Sequence, residues 1–334
     1  MEDKNGVFSG NTQGNDQYGQ FAPTAQPPQM AQPGQDYNIW QGQPQKPDKK
    51  PGIAGKIFGG IVLSLVIMGL FVGVQFVVAI VMMIGLAFGY AIEAPGDVSY
   101  VTRMLTEAIG DGEFMTNLTV IATAVSLVVA VFFYWLLWGR KKTQEDKQYF
   151  REKVLRGKVF LMISVATVGL YFLAILIANI IGFVSPDTME EYNKMMDMAL
   201  GGNVFMAMLA AVLLAPISEE CIMRGMIFQN LKKYFSAPAA IVIQAVIFGI
   251  FHMNWVQGIY VIPVGLALGF LAEKSKSVLP CIYMHMLNNF MSIVLALLPE
   301  VCQTNLFCVV VVAVCLPAVW LMYRQERERF EDAV

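Results

Sequence analysis

Three short motifs set polar and ionisable residues within apolar runs: Glu219-Glu220-Cys221-Ile222-Met223-Arg224, Phe248-Gly249-Ile250-Phe251-His252 and His285-Met286-Leu287-Asn288-Asn289. An ionisable side chain at the centre of a membrane helix costs about 2.5–3.5 kcal/mol on insertion scales, so such residues read as functional by default. Glu220 and Arg224 are four apart and can pair on one helical face. Glu219 is turned by about 100° from Glu220, which leaves one carboxylate for proton transfer. The bland alternative for this cluster is an ion pair locking two helices. Pro216 removes a backbone hydrogen bond just upstream and is expected to kink the helix there. His285 and Asn289 share a face, whereas Asn288 points elsewhere and is left outside the site. His252, at the end of an apolar run, fits a cap or an interfacial residue as well as a catalyst. The chain has only two histidines, and the motifs contain both.

Something must hold these residues together, and composition says what. Of the 334 residues, 56% are hydrophobic and 14% charged, against about 25% charged in soluble domains. A soluble enzyme and a secreted disulfide scaffold are excluded. The expected fold is all-α, a polytopic transmembrane bundle of about eight helices. Its spans are read near 54–92, 118–138, 158–183, 204–230, 238–254, 256–272, 278–298 and 305–323. The first is too long for one upright crossing, so it is either strongly tilted or projects beyond the bilayer; the run at 238–254 is short. Residues 1–52 are rich in Gln, Pro and Gly and are expected to form a disordered tail rather than a cleaved leader. That leaves 53–334 as the transmembrane domain. The outer loops 93–117 and 184–203 carry short helical patterns, the second with a capping-box-like start at Asp187 and Glu190.

Charge completes the outline. Lys and Arg at 46–56, 140–158, 232–233, 274–276 and 324–329 fall on one face if the chain crosses eight times, while the other face holds only Arg103 and Lys194. The positive-inside rule then puts both termini in the cytoplasm. A net charge of −2 with no basic block gives no nucleic-acid partner. The five cysteines form no CxxC pair and are expected to be buried as small hydrophobes.

The order EExxxR, FxxxH, HxxxN on successive membrane helices resembles the CPBP family, the CAAX prenyl endopeptidases and the bacterial Abi proteins linked to bacteriocin processing and immunity. The resemblance spans roughly residues 155–300, the expected catalytic core, and all three motifs match without substitution. It implies an intramembrane glutamate-dependent endopeptidase, often called a metalloprotease, acting on a membrane-associated peptide or protein. In that pattern Glu219 is the general base and His252 holds the attacking water. His285 and Asn289 stabilise the oxyanion, and Glu220 and Arg224 orient the others. If a metal takes part, zinc is the expected ion, with Glu219, His252 and His285 as candidate ligands; no HExxH fixes ligands on one helix. A catalytically idle membrane scaffold and a proton-coupled transporter are the alternatives. The expected location is a bacterial plasma membrane, with lipid and a peptide or membrane-protein substrate as partners.

Overall fold

The computed structural model describes residues 52–200 and 202–331. Apart from Gly52, the segment expected to be a disordered tail lies outside them. Among the described residues all regular structure is helical. In chain order the helices are α1 (Ile53–Glu93), α2 (Val98–Gly110), α3 (Gly112–Leu137), α4 (Gln144–Tyr149, prolonged by a π-helical turn Phe150–Val154) and α5 (Gly157–Val184). Then come α6 (Pro186–Leu200), α7 (Val204–Leu231), α8 (Ala237–Phe251), α9 (Trp255–Ser275), α10 (Leu279–Ala296) and α11 (Asn305–Glu331). The chain is an integral membrane protein: α1, α3, α5, α7, α9 and α11 each contain a segment long and apolar enough to cross a membrane.

Two of the expected spans are shorter. The 15 residues of α8 and 18 of α10 extend about 22 and 27 Å at 1.5 Å per residue, less than the ~30 Å of a bilayer core. A helix as short as α8, entered from one face, ends at depth. His252 caps that end, so its position far from the start of α8 does not carry it across. By contrast α1 is one helix of 41 residues, about 60 Å long. Fitting it within ~30 Å would need a tilt near 60°, beyond the observed 0–40° range, so α1 projects past the apolar layer.

Both outer loops are helical. Asp97 caps α2 by accepting from Tyr100 N at 2.9 Å. The start of α6 differs from the expected Asp187: the helix begins at Pro186, the Ser185 hydroxyl lies 2.7 Å from that of Thr188, and Met189 N–H bonds Ser185 O. Proline suits the first helical position because its missing N–H would have no partner there.

The main core joins α7, α8, α9 and α10, with Phe71 of α1, Ala130 of α3 and Ile163 of α5 packed against them. A smaller cluster of Phe172, Leu295 and Cys308 ties α5 and α10 to α11. Cys221, Cys281 and Cys308 are buried, and all five cysteines are free thiols. Helices α8 and α9 touch backbone to backbone. A Cβ on Gly249 would lie 2.5 Å from Gly258 O, and one on Gly258 would lie 2.9 Å from Gly249 O. Small residues permit such approach where lipid supplies no hydrophobic drive for helix association. Four of the cationic residues expected on one face make contacts at the ends of α7 and α9: Lys232 pairs with Glu273, Lys233 lies over Trp138, Lys276 lies over Tyr149, and Tyr149 Oη donates to Lys274 O.

Candidate active site

Helix α7 carries the paired glutamates between two register shifts. Leu209–Leu214 and Met223–Ile227 are π-helical, and the α-helical stretch between them is Ala215–Ile222, with Pro216 in its first turn. The expected kink at Pro216 is thus taken up as a π-helical turn. Insertions of this kind recur at functional sites.

Glu220 and Arg224 form the anticipated i, i+4 pair at 2.8 Å, and both side chains are fully buried. The same Glu220 oxygen, Oε1, lies 2.8 Å from His285 Nδ1 on α10. Paired with an arginine, Glu220 is an ionised acceptor, so His285 Nδ1 carries the hydrogen and donates. That leaves Nε2 as the other working nitrogen, and it faces Glu219 Oε2 at 3.8 Å. Glu219 and Glu220, adjacent in sequence, therefore meet opposite nitrogens of one imidazole.

Phe248, the aromatic of the FxxxH motif to which the sequence reading gave no role, is the hub. The Arg224 guanidinium lies over its ring, 4.6 Å from the centroid. His252 and His285 meet the ring edge-on at 4.8 and 5.7 Å. His252 Nδ1 lies 2.8 Å from Phe248 O, so its Nε2 is the nitrogen left free of the backbone. The four-residue spacing of Phe248 and His252 was the available signal, since it stacks both on one face.

Gln244, one turn before Phe248, was also missed. It is fully buried and donates to Gly265 O at 2.7 Å, the carbonyl that also receives Arg224 Nη2 at 3.3 Å. Gly269 makes room for it: a Cβ there would lie 2.4 Å from Gln244 Nε2. A lone amide in the otherwise apolar run APAAIVIQAVIFGIF was its mark in the sequence.

Asn289 reaches α7 but not the glutamates: its Nδ2 donates to Ala211 O at 2.9 Å. Asn288, set aside in the sequence reading, donates to Asn289 Oδ1 at 3.3 Å. Among the described residues, Glu219 Oε2, Glu220 Oε2, Arg224 Nε, Gln244 Oε1 and Asn288 Oδ1 are buried without a hydrogen-bond partner in the protein. Most buried polar atoms are paired, and these five stand on the motif residues and their neighbours, while Thr116 Oγ1 and Ser126 Oγ on α3 are the other two exceptions among the described residues.

Zinc does not fit this donor set. A catalytic zinc takes three protein ligands, and among the described residues no three His, Cys, Asp or Glu side chains are grouped to hold a metal ion. Glu219 Oε2 and His285 Nε2 face each other at 3.8 Å, which makes a pair rather than a set of three.

Fold and site together define an all-α membrane protein that encloses a glutamate–histidine centre within its bundle. Residues 201–291 match the family model described as Rce1-like, type II CAAX prenyl endopeptidase Rce1-like. That stretch is about a quarter of the chain, narrower than the expected 155–300, and it contains Glu219, Glu220, Arg224, His252, His285 and Asn289. No curated protein and no solved structure matches the chain.

Proposed function

We propose that this protein is an intramembrane endopeptidase of the CAAX-protease type that uses Glu219 to activate water. The observation that carries this reading is the buried array Arg224–Glu220–His285–Glu219, with contacts of 2.8, 2.8 and 3.8 Å. The last distance is too long for a hydrogen bond, yet one water can touch both groups. Glu219 takes a proton from that water as its oxygen attacks the peptide carbonyl, then delivers the proton to the leaving amine. His252, seated on Phe248, presents Nε2 to the same water. His285, braced by Glu220 through Nδ1–H, donates to the oxyanion from Nε2 in its protonated form. Arg224 and Gln244 hold Glu220 and the α8–α9 hairpin in register through Gly265 O. No step requires a metal.

The substrate class that fits is a peptide or protein segment already in the membrane, because the site lies within apolar helices. With the lysine-rich end in the cytoplasm, both termini are cytoplasmic, and a bacterial plasma membrane is the proposed location.

Reconstituted protein and the Glu219→Gln variant, each incubated with membrane peptides, test the assignment. The native chain yields new cleavage products and the variant yields none. Identical peptide profiles overturn the enzyme reading and leave the scaffold, while Glu219-dependent uptake of a solute without cleavage supports the transporter. Cleavage that survives exhaustive treatment with a strong chelator supports the metal-free route, and its loss refutes that route.

A further inference from the structure

The carbonyl that Asn289 binds is one that the chain itself has stripped of a partner. In the π-helical turn Leu209–Leu214, Ala215 N–H bonds Ala210 O, five residues back. The same spacing assigns Ala211 O to the N–H of residue 216, and Pro216 has none. In an apolar interior an unmet carbonyl is costly, because no water is there to replace the lost donor. The missing donor comes from α10: Asn289 Nδ2 lies 2.9 Å from Ala211 O. Asn288 sets the orientation of that amide by donating to Asn289 Oδ1 at 3.3 Å.

This juxtaposition bears on Glu219 and Glu220, which lie three and four residues after Pro216. Loss of the extra residue of a π turn rotates the C-terminal part of a helix by about 100° relative to its N-terminal part. The azimuth of both carboxylates therefore depends on the turn persisting. Its exposed carbonyl is met by a donor from the helix that also carries His285.

We propose that Asn289 is a positioning residue. By completing the hydrogen bonding of Ala211 it locks the π turn of α7, and so aims Glu219 and Glu220 at His285, one turn away on its own helix. This deepens the protease reading and rests on it for its catalytic consequence. It predicts that the need for Asn289 arises from Pro216. In the native background Asn289→Ala lowers kcat about 100-fold, the scale of a displacement near 1 Å, with little change in KM. In a Pro216→Ala background, where residue 216 regains its N–H, the same substitution costs less than tenfold.

The experiment is this four-member cycle on full-length protein in lipid nanodiscs, read by peptide cleavage and by the carbonyl ¹³C shift of Ala211. The shift needs no activity. In the native background it moves toward the unbonded value on Asn289→Ala, and in the Pro216→Ala background it holds. Equal losses of kcat in both backgrounds overturn the proposal and return Asn289 to the oxyanion. An Ala211 shift indifferent to Asn289 overturns it as well, including the case in which Pro216→Ala alone abolishes cleavage. A native protein that cleaves nothing while the shift behaves as described refutes the protease reading and leaves the carbonyl contact in place.

Discussion

Glu220 Oε1 and His285 Nδ1 lie 2.8 Å apart although 65 positions separate them in the chain. The contact fixes which imidazole nitrogen carries hydrogen. It also converts a local ion pair on α7 into a link between two helices, and it leaves Nε2 directed at Glu219. Every functional assignment above depends on this orientation.

Removing one member of the fully buried Glu220–Arg224 pair leaves the other as an uncompensated charge. Arg224→Met is therefore expected to destabilise the protein by about 3–5 kcal/mol, with a clear fall in the thermal unfolding midpoint in detergent. The double variant Glu220→Leu/Arg224→Met recovers much of that stability, because no charge is stranded, but it has no support for His285 and stays inactive.

Phe248 seats Arg224 and both histidines on one ring. A desolvated cation–π contact is worth about 2 kcal/mol. Phe248→Leu is expected to keep the fold while kcat drops about 10- to 100-fold, measured on protein whose helicity and monodispersity match the native chain.

The Gly249–Gly258 contact sets the distance between α8 and α9. Gly249→Ala forces a Cβ to 2.5 Å from a backbone carbonyl and is expected to cost about 1–3 kcal/mol, as overpacking does. Gly69→Ala on α1, where nothing lies within 4 Å, is the matched control and leaves the unfolding midpoint unchanged.

Helix α6 is seated by Tyr192, whose hydroxyl lies 2.8 Å from that of Tyr260. Burial raises the Tyr192 phenol above its usual range, partly countered by that hydrogen bond. A raised folded-state pKa favours the neutral phenol, so its stabilisation is complete below about pH 10 and fades as pH climbs through the raised value. Amide exchange along α6 should accelerate in that alkaline window. In Tyr192→Phe the α6 amides already exchange roughly fivefold faster near neutrality, the loss of about 1 kcal/mol, and the alkaline step attributable to Tyr192 is gone.

Much of this was legible in the sequence because a membrane makes polar residues expensive. Two glutamates, an arginine and two histidines inside apolar runs could not be overlooked, and the four-residue spacing of Glu220 and Arg224 dictates their pairing by helix geometry alone. Length and hydropathy marked the helices, while the alternation of lysine-rich loops gave their expected orientation. Those are local or additive properties, and a linear reading captures them.

What the tertiary structure decided is who meets whom across helices. Nothing in a one-dimensional pattern says that Glu220 takes His285 by Nδ1, that Phe248 underlies both histidines, or that Gln244 shares a carbonyl with Arg224. These depend on crossing distances set by glycines on different helices. Pro216 announced a lost N–H, but a π turn has no sequence period of its own, so neither the orphaned carbonyl of Ala211 nor its donor could be read from the chain. Asn289 showed the limit most clearly: its spacing put it on a face with His285 and the family resemblance implied an oxyanion role, and only packing against α7 revealed the backbone group it holds. Hydrogen-bond demand is created locally by the sequence, but the group that meets it is chosen by the fold.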